Sequence, residues 1–444
     1  MSVTTRQKPN VVIKHYQSEF QRLFSHVNGP LSALRKNAID SFSRIGFPNR
    51  KQEEWRSTNI SSVTGDFTVT SPAPGLDYFD NLDFKYLPDA ARIVFVNGYY
   101  SAELSDLSKL PEGVKITSLT YLLKTDPGLL VRHLAKNSSS RLTVFEQLNQ
   151  AFFNTGAWIE IPADQPEPVT IQLIYLTRPD NDRLTFQLRN LITVGKNSQL
   201  DLIEQYIGLN DKTYFTNVVT DMKIGDNALL RHSKIQNEAI NGNHISATRL
   251  YQRANSRVDS LVVSLGGTLI RNDLIVKLAA SRASVRLNGL YLGRERQEID
   301  NHTLIDHAQP ECSSSELYKG ILDDDSHAVF NGKIIVQPDA QKTAAKQINR
   351  NLLLSEKARA NTNPQLEIYA DDVKCTHGST IGQLDADALF YLRSRGITAQ
   401  AAQTLMIDGF TKEVLETIAN ETTHALTTNM VNDWFVNGNN GYNS

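Results

Sequence analysis

The sequence predicts a mainly β chain: a parallel β-helix or related β-solenoid core between helical N- and C-terminal regions. Three observations carry this. From about residue 140 to 380, β-type alternation dominates, as in Val169-Thr-Ile-Gln-Leu-Ile-Tyr175, Leu200-Asp-Leu-Ile-Glu204 and Lys333-Ile-Ile-Val336. Gly, Asn and Asp punctuate these runs, and no long helical period interrupts them, which argues against a doubly wound sheet. Second, a weak motif recurs: a polar residue, a small one, any residue, then an aliphatic anchor. It reads Asn197-Ser-Gln-Leu200, Asn227-Ala-Leu-Leu230, Asn255-Ser-Arg-Val258 and Arg282-Ala-Ser-Val285, with anchors stepping by 30, 28 and 27 residues. Such periods suggest stacked units that bury their apolar faces on one another. A large β-sandwich with turns at similar intervals is the alternative. Third, both ends of the chain carry helical spacing, and a solenoid needs capped ends.

The elements follow in order. Phe20, Phe24, Val27, Leu31, Leu34 and Ile39 recur at roughly helical spacing, broken at Gly29-Pro30. A mixed stretch with Pro72, Pro74 and Pro88 leads into Ile93-Val94-Phe95-Val96, a buried-strand pattern that ends at the turn signal Asn97-Gly98. The β zone follows. Near residue 385 the pattern returns to helix, with Leu389, Phe390 and Leu392 in one segment and Ala401, Ala402, Leu405 and Met406 in the next. A third segment carries Val414, Leu415, Ile418, Leu426, Val431 and Trp434. Gly396 and Gly409 read as breaks, and Thr398 and Thr411 as N-caps. The expected division is 1–140 (helical and mixed), 141–383 (β-helix core) and 384–444 (helical).

Composition excludes several classes. The 444 residues contain 46 Lys+Arg against 48 Asp+Glu, a near balance that rules out a broadly basic nucleic-acid coat or a long acidic tail. No stretch of the N-terminus reads as a secretory signal and no run approaches the roughly 20 apolar residues of a membrane span, so a cytoplasmic protein is expected. The P-loop, dinucleotide GxGxxG, HExxH and GxSxG patterns are all missing, as are basic residues interleaved with stacking aromatics. Two cysteines, Cys312 and Cys375, cannot make a disulfide framework, an all-cysteine zinc site or a self-contained cysteine-ligated cluster.

The densest chemistry lies between Asp300 and Gly382. Its sharpest element is Asp371-Asp-Val-Lys-Cys-Thr-His-Gly378. Cys375 and His377, at i and i+2 on a strand, share a face about 6–7 Å apart. A thiolate and an imidazole so placed suit a soft or borderline metal such as zinc or iron. Lys374 would favour the thiolate and Asp372 oppose it. A buried cysteine beside a surface histidine is the structural alternative. Asp323-Asp324-Asp325 reads more simply as a solvated turn than a cation site, and His302 and His307 as satisfied or exposed side chains. Asp385 and Asp387 suit a helix N-terminus.

Several stretches together resemble the SufB/SufD family of iron–sulfur cluster assembly proteins. They are Ser315–Gly320, Ala328–Val336, Gln341–Thr343, Asn351–Ser355, Pro364–Ile368, Asp371–Gly378 and Phe390–Gly396. Gly46–Arg56, Val94–Gly98, Phe145–Asn149 and the Cys-x-His-Gly form at Cys375–Gly378 look like its SufD branch. The resemblance implies a right-handed parallel β-helix and a non-catalytic scaffold subunit. Its partners would be a SufB-like subunit, paired through the last β-helix turns, and a SufC-like ABC ATPase, held by the C-terminal helices. SufD-like chains also self-pair along that edge. Cys375 and His377 match family positions at the subunit interface, where a transient iron–sulfur cluster would draw its remaining ligands from the partner; a flavin is a further candidate cofactor of the complex. Residues 385–417 resemble the ATPase-docking segment, with Leu389, Tyr391, Leu405 and Phe410 as candidate contacts. Two rival readings are a β-helix carbohydrate-active enzyme using Asp323 or Asp325, and a homodimeric protein-binding solenoid without metal chemistry.

Overall fold

The computed structural model describes residues 9–26, 29–69, 86–136 and 142–439; Val27, Pro72 and Pro74 lie outside them. Helices α1 (Pro9–Phe24) and α2 (Ser32–Ile45) open the chain. Strands β1 (Thr68–Val69), β2 (Ala91–Val96), β3 (Tyr99–Asp106) and β4 (Lys115–Ser118) follow, then helices α3 (Leu119–Thr125), α4 (Pro127–Lys136) and α5 (Val144–Phe152). Sixteen strands come next: β5 (Ala157–Ile161), β6 (Val169–Thr177), β7 (Leu184–Val194), β8 (Gln199–Gly208), β9 (Tyr214–Ile224), β10 (Leu229–Asn237), β11 (Gly242–Gln252), β12 (Arg257–Ser264), β13 (Leu269–Leu278), β14 (Ser284–Gly293), β15 (Glu298–His307), β16 (Ser313–Leu322), β17 (His327–Val336), β18 (Thr343–Leu353), β19 (Arg359–Ile368) and β20 (Val373–Gly382). Helices α6 (Ala386–Ser394), α7 (Ala399–Leu415) and α8 (Glu421–Asn439) close it.

From β5 onward, even- and odd-numbered strands separate into two sheets. One runs β20-β18-β16-β14-β12-β10-β8-β6-β2-β3 and the other β19-β17-β15-β13-β11-β9-β7-β5-β4. All neighbours from β5 to β20 pair in parallel, so each turn of chain lays one strand on each sheet, forming a parallel β-solenoid. β2 already belongs to it, pairing in parallel with β6. The hairpin from β2 to β3 turns at Asn97 and Gly98, both at positive φ (47° and 82°).

The sequence repeat is the turn-and-anchor of each coil. Asn197, Asn227, Asn255 and Arg282 lie at φ between 55° and 61°, a left-handed conformation that asparagine tolerates well. Glu311 and Lys342 continue the row at 61° and 60°. The next residue of each turn faces the lumen and is small: Ser198, Ala228, Ser256, Ala283, Cys312 and Thr343, none more than 1 % exposed. The anchors stack in register as Leu200, Leu230, Val258, Val285, Ser314, Ala345 and finally Cys375.

Each sheet's outer face is covered by helices from one end of the chain. Val12, Tyr16, Phe42 and Trp55, with Phe145 and Leu148 of α5, pack on Phe215, Ile245 and Leu269. Ile407, Val414, Leu415, Leu426, Val431 and Trp434 of α7 and α8 pack on Ile203, Leu261, Val263, Leu290 and Ile321. Asp385 caps α6 by accepting from the Asp387 and Ala388 N–H groups, and Thr398 caps α7 through Ala401. Gly396, at φ 87°, ends α6. Gly409 and Thr411 do not mark a break: α7 runs through both. Thr411 is buried and its hydroxyl bonds back to the Asp408 carbonyl, so packing against the sheet outweighs the cost of a mid-helix glycine. Among the described residues, no helix is long and apolar enough to cross a membrane.

Candidate functional site

The solenoid ends on an uncovered turn. β19 and β20 each have a neighbour on one side only; none of their residues is buried, and most of those on β20 are exposed. Ile368, Tyr369 and Ile381 are 40 %, 61 % and 48 % exposed there. An edge of this kind presents unpaired N–H and C=O groups to another strand.

Cys375 and His377 lie on β20, opposite Ala345 and Gln347 of β18. Ala345 and Gln347 are buried in the lumen, so strand alternation directs both Cys375 and His377 to the lumen side of the last turn. The thiol is half-buried and packs against the core; the imidazole is exposed. Burial pushes the Cys375 thiol above its ordinary value, and the Ala345 N–H opposes that rise. Neither Lys374 nor Asp372 sets it, contrary to expectation, because alternation turns Lys374 to the other face of the strand.

A lumen column missed by sequence reasoning leads to His377. It runs Leu202, His232, Ser260, Leu287, Glu316, Gln347, His377. Glu316 and Gln347 are 1 % and 0 % exposed, and Gln347 Nε2 donates to Glu316 Oε2. Burial pushes the Glu316 carboxyl up to about 7, with Gln347 and Thr303 holding it down somewhat. The Thr303 hydroxyl nevertheless makes no hydrogen bond of normal geometry. The coil length varies from turn to turn, so this column becomes visible only with the register.

Other candidates have structural roles. Cys312 is 1 % exposed and its Sγ faces the Ala280 carbonyl at 3.4 Å, in the small-residue row. His302 Nε2 lies 2.8 Å from Asp300 Oδ1, in a cluster with Arg271 and Thr58 that holds the Trp55 segment on the solenoid. His307 is buried, with Nε2 2.9 Å from Ser314 Oγ. Asp323, Asp324 and Asp325 form the turn after β16, where Asp324 accepts from the Glu295 N–H. Among the described residues, no three His, Cys, Asp or Glu side chains come together as a metal site.

Of the C-terminal candidates, Tyr391 and Leu405 are 58 % and 52 % exposed, Leu389 is half-buried, and no residue of α6 is buried. Phe410 packs inward, and Lys319 Nζ donates to its carbonyl at 2.8 Å. Phe390, which belongs to the helical pattern but is not among the candidate contacts, is 75 % exposed beside Tyr391.

A parallel solenoid with helices laid over both sheets and one open turn defines a mainly β, helix-flanked solenoid class of protein. Residues 176–410 match the family described as SUF system FeS cluster assembly, SufBD core domain, and residues 7–173 match the SufBD protein N-terminal region. The chain belongs to the SufBD family. It is 35 % identical over 394 residues to an iron–sulfur cluster assembly SufBD family protein of Synechocystis, covering 86 % of each chain. It is 29 % identical over 406 residues to the iron–sulfur cluster assembly protein SufD of Escherichia coli, covering 91 % of this chain and 93 % of that one. With SufD of Bacillus subtilis the identity is 28 % over 406 residues, 87 % and 89 % of the two chains.

Proposed function

We propose that this iron–sulfur assembly protein is a non-catalytic cytoplasmic scaffold subunit, which pairs through its open last turn with a SufB-like subunit and carries a SufC-like ABC ATPase on its C-terminal helices. The observation that carries this reading is the end turn itself. It has an unpaired strand edge, and a thiol and an imidazole face the lumen beside it. A second chain added at β20 would continue the sheet and bring its own side chains over Cys375 and His377. The nascent cluster is cargo, held by His377 with Cys375 as its neighbour and completed by ligands of the partner. The ATPase would dock on α6 and the adjoining side of α7, where Tyr391 and Leu405 are exposed and Leu389 supports them, while Phe410 keeps α7 on the sheet. ATP-driven movement of the ATPases would then shift the paired solenoids and open the interface.

Anaerobic co-expression with SufB- and SufC-like chains tests this. The three should co-purify with bound iron and sulfide. His377→Ala should leave the complex assembled and remove the iron and sulfide; normal loading of that variant would refute the assignment. Retention of the metal by a homodimer without partners would refute the need for a SufB-like subunit, and retention by a monomer would refute the shared site.

A further inference from the structure

The column beneath His377 has an orientation. Glu316, Gln347 and His377 sit on β16, β18 and β20 in direct register. Neighbouring strands are about 4.8 Å apart, so these lumen-facing side chains stand one above the next. The Gln347 amide is fixed in direction. Its Nε2 donates to Glu316 Oε2, one turn deeper, so the nitrogen points into the solenoid. On the opposite sheet Gly332 leaves room for it, since a Cβ there would lie 2.3 Å from Gln347 Nε2. The amide oxygen is buried and accepts no hydrogen bond. An unpaired buried acceptor costs about 1–3 kcal/mol. The next side chain of the column towards the open end is His377, whose ring carries an N–H.

We propose that Gln347 and Glu316 are positioning residues for His377. Glu316 holds the Gln347 amide with its oxygen towards the open end. When a partner closes the last turn and turns the His377 ring inward, that oxygen accepts one imidazole N–H, leaving the other nitrogen as a lone-pair donor at the interface. This rests on the reading of His377 as the group that meets iron. A carbonyl that takes the N–H of a ligating histidine selects its tautomer and fixes its ring plane. The groups around Glu316 do not compete for the arrangement. Tyr318 of its own strand, Tyr291 of β14 and Thr303 of β15 are uncharged, and His307 is engaged with Ser314. Glu316 takes part in none of the ion pairs of the described residues.

The test uses the assembled three-subunit complex, with ferrous iron alone as probe, under anaerobic conditions at pH 8. Gln347→Leu should weaken iron binding about 10- to 100-fold, as loss of a partner to a ligating histidine does. Gln347→Glu keeps the shape but loses the N–H that Glu316 holds and sets a second buried carboxylate against it, so it should not restore binding. Glu316→Leu should weaken binding like Gln347→Leu, and it decides the question if Gln347→Leu does not assemble. Glu316→Gln, which can still accept from the Gln347 amide, should bind normally. Wild-type affinity in both leucine variants, with His377→Ala unable to bind, would overturn the positioning role and leave the ligand reading standing. Wild-type affinity in His377→Ala would overturn the reading on which it rests.

Discussion

Lys319→Met should loosen α7 from the solenoid without unfolding it. Lys319 projects from the outer face of β16, with its side chain 2 % exposed, and ends in three contacts with α7. Its Nζ donates to the Phe410 carbonyl at 2.8 Å, pairs with the Glu413 carboxylate and lies 4.4 Å from the Phe410 ring centroid. Glu413 is about half exposed, so its ion pair counts for little after solvent screening. The bond from a buried ammonium to a carbonyl is the larger contribution, about 1.5–3 kcal/mol. Methionine keeps most of the stem's packing and removes that bond. Local opening of α7 should therefore become easier by the same amount, which corresponds to about 10- to 150-fold faster amide hydrogen exchange across Leu405–Val414. Exchange in β12 and β14 should stay unchanged. Arg350→Met is the control. Arg350 reaches the same Glu413 at 3.2 Å but is 44 % exposed, so α7 exchange should rise by less than about fivefold. Equal effects of the two substitutions, or no effect of Lys319→Met, would refute the claim that the buried lysine clamps the helix.

Gly289 and Gly320 face Tyr318 and Tyr291 in a crossed pair across β14 and β16, and an added Cβ would lie 2.2 Å and 2.1 Å from those rings. Gly289→Ala or Gly320→Ala should cost about 1–3 kcal/mol in urea unfolding, whereas Gly378→Ala, with nothing within 4 Å, should leave the midpoint unchanged. His307 has its pKa pushed down to about 4 by burial, below the usual value near 6.5. The unfolded chain then binds more protons between these values, so stability is full above pH 6.5 and falls as pH drops towards 4. His307→Gln should flatten that part of the stability profile; an unchanged slope would assign it to other groups. Asp385→Ala removes the N-cap of a helix with no buried residue, so α6 should lose about 0.5–2 kcal/mol, read by exchange of its amides.

Much of the solenoid is written in the sequence because the same physical demand recurs once per turn. A left-handed corner favours asparagine, the inward position after it accepts only a small side chain, and the anchor fills the lumen. Four turns obey this closely enough to be seen. The later ones obey it in structure but not in residue type: Glu311 and Lys342 replace asparagine, and Ser314 and Ala345 replace the aliphatic anchor. The row that explains Cys312 and the row that ends at Cys375 were hidden for this reason. Cys375 and His377 were legible because two adjacent i, i+2 donors are local. Glu316 and Gln347 were not, since coils of unequal length conceal which residues stack. Gly409 misled in the opposite sense: a local breaker was overruled by burial of Thr411, and only tertiary contacts report that.

A filled solenoid limits where an ion can be held. Tyr291, Tyr318 and Phe330 occupy the lumen beneath the last two turns and are 1–2 % exposed. The filled lumen leaves no room for an ion beneath these turns, and the proposed site lies at the open end. There, alternation on β20 offers Val373, Cys375, His377, Ser379 and Ile381 to the lumen side, and β19 offers Ala360, Thr362, Pro364, Leu366 and Ile368. Two of these ten side chains are soft or borderline donors. An iron–sulfur or zinc centre takes about four ligands from protein and cargo together, so the end turn can begin such a site and cannot complete it with its own side chains. The shortage of cysteines and the unpaired strand edge are the two features on which the proposed pairing rests, in which a second chain adds a strand beside β20 and brings ligands with it.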